Sequence, residues 1–107
     1  MTIRIVNKLV RDRIPGMIGE GGEIPDFRFL DDEEFLEALN EKLKEEVAEY
    51  LESKDLEELA DIFQVICTIS EIIGGGQMEL EYLRDEKAVE RGGFDMHVFL
   101  ESIDDMK

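Results

Sequence analysis

The chain has 107 residues, enough for one domain with a modest core. Its 12 basic and 28 acidic residues give a formal charge of -16, which argues against a nucleic-acid backbone or an anionic membrane as partner; an anionic small substrate would be repelled unless a cation came with it. A hydrophobic fraction of 43% is too high for a disordered acidic tail, and one cysteine, Cys67, offers neither a disulfide framework nor a zinc site.

Along the chain, "TIRIV" alternates as a brief strand would, and "NKLVRDRIP" holds a turn or two of helix ended by Pro15. "GEGGEIP" reads as a glycine-rich loop, and "DFRFL", with Phe27 and Phe29 two apart, as a short strand. Asp31 and Glu34 then have the form of a capping box, and Leu36, Leu39, Leu43, Val47 and Tyr50 recur at helical steps until about Ser53. A second helix opens at Asp55 and carries Leu56, Leu59, Ala60, Phe63, Ile66, Cys67, Ser70 and Ile73 to a stop at Gly74, Gly75 and Gly76. A third spans about Met78 to Arg91, closed by Gly92 and Gly93, and "FDMHVFLES" alternates as a last strand suited to pair with the one near Phe27. The start lacks the apolar run of a signal peptide, and the longest apolar stretch, Ile62 to Ile73, is broken by Gln64, Thr68, Ser70 and Glu71. The expectation is a mainly all-α, single-domain cytoplasmic protein built on a helical hairpin with short terminal strands.

Direction follows from position at about 100° per helical residue. With Leu36 at zero, Leu43 and Val47 fall within about 20°, Glu46 at about -80° and Glu49 at about -140°, so Glu46 stands inside the apolar sector and Glu49 just past its edge. On the second helix, with Leu59 at zero, Glu58 and Asp61 lie at about -100° and -160°, in the sector later filled by Ile62, Val65, Ile69 and Ile72. The apolar arc there is about 240° wide, more than one neighbouring helix covers, which predicts self-association through the Ile62 to Ile73 face. Folded back on each other, the two helices bring Glu46, Glu49, Glu58 and Asp61 to one end. Four clustered carboxylates repel, so a divalent cation is the economical counter-charge, and all-oxygen ligands favour magnesium, manganese or calcium. The plainer alternatives are a solvated acidic face and, for Glu58, the third position of a capping box begun by Asp55.

"EEVAE" at Glu45 to Glu49 followed by "ELAD" at Glu58 to Asp61 resembles the E-E-x-x-E and E-x-x-D signature of the all-alpha nucleoside triphosphate pyrophosphohydrolases, the MazG and phosphoribosyl-ATP pyrophosphohydrolase superfamily. "NKLVRDRIP" and "KAVERGGF" resemble its small single-domain house-cleaning subgroup, so the likeness runs over most of the chain. The resemblance implies a helical dimer or higher oligomer that uses magnesium, with manganese a possible substitute, to cleave a nucleotide between its alpha and beta phosphates. Carried over by position, Glu46, Glu49, Glu58 and Asp61 would be metal ligands, and Glu45 a further ligand or the group that orients the attacking water. Phosphoribosyl-ATP is the alternative substrate, and a non-catalytic acidic helical interaction module the alternative of a different class. Eight residues, Tyr50 to Glu57, separate the motifs, a tighter hairpin than in many members.

The bases fit such a reading. Arg84, Lys87 and Arg91 form an i, i+3, i+7 stripe, and Lys8 and Arg11 repeat the first step near the start. They are candidate phosphate ligands; Arg84 and Lys87 serve equally as surface partners of Glu81, Asp85 or Glu90.

Overall fold

The computed structural model describes residues 2–105, and four helices account for all their regular structure. Helix α1 spans Ile14–Glu20, α2 Asp32–Ser53, α3 Leu56–Ile73 and α4 Gly76–Arg91. The all-α expectation holds, whereas the terminal strands do not form among the described residues. Ile3, Ile5 and Val6 of "TIRIV" and Phe94, Met96, Val98 and Leu100 of the tail are all exposed, and an alternating segment without a paired edge leaves its backbone groups to water. Phe27 and Phe29 meet each other edge to face, ring centres 5.9 Å apart, as i, i+2 side chains of extended chain can without a sheet.

Pro15 also has a different role from the one its pattern suggests. It lies in the first turn of α1, where its missing N–H would have had no helical partner, so the proline begins the helix that it was expected to end.

The long helices follow the sequence closely. Asp31 is extended, and its Oδ1 accepts from the Glu34 backbone N–H at 2.8 Å, while three acids in the first turn of α2 suit the positive end of its dipole. Glu34 does not complete the reciprocal half of a capping box; its carboxylate takes two hydrogen bonds from Arg28 at 3.0 and 3.3 Å. Lys54, left-handed at φ 60°, ends α2, and the chain reverses at once into α3. Between α3 and α4 the axis swings by 105° over Gly74 and Gly75. At Gly75, φ is 90° and a Cβ would stand 2.6 Å from that of Glu79, so this corner needs glycine. No single described helix is long and apolar enough to cross a membrane.

The hairpin of α2 and α3 is the centre of the fold; α4 packs on α3 and does not touch α2. Among the described residues the buried apolar side chains are Leu39, Val65 and Cys67. Val65 is buried and Ile62 and Ile69 half-buried, all on the side of α3 that carries Glu58 and Asp61 toward α2. The apolar residues that the chain leaves open on α3 are Leu56, Leu59 and Phe63 on its first turns and Ile72 and Ile73 at its end, so of the Ile62 to Ile73 face only the last two isoleucines stand exposed. The radius of gyration is 19.3 Å, against about 13 Å for a compact domain of this length.

Candidate metal centre

Two helices supply three carboxylates to one point. Glu46, in the fourth turn of α2, and Glu58 and Asp61, in the first two turns of α3, offer oxygens that all lie within 4.8 Å of one another. The i, i+3 spacing of Glu58 and Asp61 stacks them on one face of α3, and the two-residue reversal at Lys54 and Asp55 sets that face against Glu46.

Glu46 is the most unusual of the three. Its side chain is only 8% exposed, Lys42 Nζ stands 3.4 Å from Oε1, and Oε2 is buried with no hydrogen-bond partner. Burial pushes its pKa up, the neighbouring charges of Glu49 and Asp61 push the same way, and Lys42 opposes them. Glu58 is also raised, first by desolvation and then by the adjacent Glu49, and its Oε2 is a second buried oxygen without a partner. Asp55 makes no side-chain cap to α3 and its backbone N–H donates to Ser53 Oγ at 3.2 Å, so Glu58 is not serving as the return arm of a capping box.

The fourth expected ligand, Glu49, is exposed and stands beside Glu58 at the edge of the three. Glu45 is outside the cluster, where Lys8 reaches its Oε1 at 3.7 Å and Lys42 its Oε2 at 3.9 Å. Arg11 Nη2 donates to Asp61 Oδ1 at 2.6 Å, a contact across fifty residues of sequence that lays the N-terminal segment over the hairpin. Lys8 and Arg11 are thus brought to the acids. Arg84, Lys87 and Arg91 are not, because α4 leaves α3 at the far end from Glu58 and Asp61; Arg84 pairs with its own neighbour Asp85 at 3.2 Å, and Lys87 and Arg91 are exposed.

Sequence reasoning missed Lys42. Its signal was the position one turn before Glu46, the acid inside the apolar sector, since a buried acid has most need of a cation at i-4.

Oxygen atoms within 4.8 Å of one another can share one ion, since two ligands on opposite sides of magnesium or calcium are separated by roughly 4 to 5 Å. Two of the donor groups have buried oxygens with no hydrogen-bond partner among the described residues. An all-carboxylate set of this kind suits a hard divalent cation.

No family model and no solved structure matches this chain. It is similar to an uncharacterized protein of Mycolicibacterium smegmatis, 55% identical over 42 residues that cover 39% of this chain and 43% of that protein. The matched stretch is thus less than half the length of that relative, whose name states no activity.

Proposed function

We propose that the chain is a magnesium-dependent nucleoside triphosphate pyrophosphohydrolase, cleaving between the alpha and beta phosphates to release a monophosphate and pyrophosphate. The observation that carries this reading is the pair of buried, unpartnered oxygens, Glu46 Oε2 and Glu58 Oε2, beside Asp61. Orphaned carboxylate oxygens at one point in a helical hairpin are what a cation centre has before its ion binds, and the two acid motifs that supply them resemble those of an enzyme superfamily that uses them so.

Glu46, Glu58 and Asp61 would hold the ion, with Glu49 at the rim. Bound magnesium supplies neutralisation of phosphoryl charge and a more acidic water, which is most of what phosphoanhydride hydrolysis requires of a catalyst. Lys8 and Arg11 stand beside the acids and are the cations available to the phosphate chain. Glu45, one residue from Glu46 and held between Lys8 and Lys42, is the carboxylate we assign to orienting the attacking water. Self-association as a dimer or tetramer belongs to the same reading, since the open apolar face of α3 is unpaired in one chain.

A nucleotide panel that includes phosphoribosyl-ATP, assayed for pyrophosphate with and without magnesium, tests this. Turnover that needs magnesium and is lost in Asp61→Asn is expected. If no compound is hydrolysed and magnesium leaves thermal stability unchanged, the proposal fails.

A further inference from the structure

Two of the three carboxylates already hold a cation of the chain's own. Arg11 Nη2 is 2.6 Å from Asp61 Oδ1, and Lys42 Nζ is 3.4 Å from Glu46 Oε1. Neither base lies within the acid motifs: Arg11 comes from the N-terminal segment, and Lys42 from one turn earlier on α2. Each binds one oxygen of its carboxylate. Glu46 Oε2 and Glu58 Oε2 are left buried without a hydrogen-bond partner among the described residues.

We propose, on the metal reading above, that Arg11 and Lys42 are resident counter-cations of this centre, which hold Asp61 and Glu46 in the metal-free protein and yield those carboxylates to a divalent ion in exchange. The energetics favour exchange over coexistence. A doubly charged ion among the same oxygens repels a guanidinium or ammonium a few ångströms away, and the carboxylates cannot satisfy both at full strength. Both bases have somewhere to go. Arg11 has a side chain 56% exposed and can turn into water or onto a phosphate, while Lys42 keeps Glu45 Oε2, already at 3.9 Å, as a second acceptor on its own helix. The two residues thus neutralise the cluster before the ion arrives, and Arg11 is released beside the centre when it does.

The proposal differs in sign from a merely structural role. If these bases only tether the acids, removing one loosens the centre and weakens metal binding; if they compete with the ion, removing one tightens it. Manganese alone, titrated by calorimetry into the full chain at low ionic strength, distinguishes the two without any turnover assay. We expect binding to tighten about threefold in Arg11→Gln and about tenfold in the less exposed Lys42→Met, with Arg11→Lys and Lys42→Arg close to the parent. The metal-free melting temperature of Lys42→Met should fall at the same time. Unchanged or weaker manganese binding in Arg11→Gln overturns the exchange and leaves the metal reading standing; absence of manganese binding in the parent chain removes both. Should Lys42→Met fail to fold, Arg11→Gln, altered at an exposed side chain, decides alone.

Discussion

Glu46→Gln gives the sharpest test of the centre, because it should act in opposite directions with and without metal. Glutamine keeps the shape of the side chain and removes the charge. In the metal-free protein that charge is unfavourable: burial and the fields of Glu49 and Asp61 outweigh Lys42, as the raised pKa of Glu46 records. A buried polar atom without a partner costs about 1–3 kcal/mol, and an amide at this place can donate to the remaining carboxylates. Against this stands the lost pair with Lys42, so a net stabilisation of about 1 kcal/mol is expected, roughly 4–8 °C in melting temperature for a domain of this size. With magnesium at a hundred times its dissociation constant the parent chain gains about 2.7 kcal/mol, and the variant, short of one ligand, gains little. The two melting curves should therefore change order between chelator and excess magnesium when followed by calorimetry. Refutation would be a variant less stable than the parent in chelator, or a parent indifferent to magnesium, manganese and calcium alike.

Three other outcomes follow from the same structure. Because Glu46 and Glu58 have raised folded-state pKa values, their stabilising share in the metal-free fold is full below the unfolded carboxylate value of about 4.3 and is lost as pH rises through the folded values. Chelated protein should lose stability by this route on going from mild acid to neutrality in urea titrations, and saturating magnesium should remove the loss. Asp31→Ala deletes the side-chain cap of α2 and should cost about 1 kcal/mol at any metal concentration, read as a lower urea midpoint with unchanged slope. Phe63→Asp places a charge on the open face of α3 and should move the chain from oligomer toward monomer in sedimentation velocity, whereas a parent already monomeric at tens of micromolar would contradict self-association through that face.

What could be read from the sequence divides along the range of the interactions involved. The bounds of α2 followed from local chemistry: the Asp31 cap and the stop after Ser53 are each decided within four residues. Glu46 was legible for a similar reason, since its angle among the leucines is fixed by the helix alone. Strands were not, because alternation states only that a segment would suit a sheet, and the edge it needs lies elsewhere in the chain or outside it. The contacts of Arg11 with Asp61 and of Lys8 with Glu45 cross fifty and thirty-seven residues and depend on the course of a segment without regular structure. The stripe of Arg84, Lys87 and Arg91 was visible as a stripe, yet its place was set by a 105° turn at two glycines, whose angle no residue count predicts.

The same division bears on how the centre would work. In one chain the acids have Lys8, Arg11 and Lys42 near them, while the stripe lies on α4, which joins α3 at its other end. Leu56, Leu59 and Phe63 are exposed on the very turns of α3 that hold Glu58 and Asp61. Three buried apolar side chains among the described residues are a small core for a chain of this length, and much of the other apolar surface is in water. A surface that covered Leu59 and Phe63 would also exclude water from the neighbourhood of Glu58, which strengthens every charge interaction there and makes an unneutralised cluster more costly. Association through that face and occupancy by a divalent ion should then favour each other, since each reduces the free-energy cost of the other.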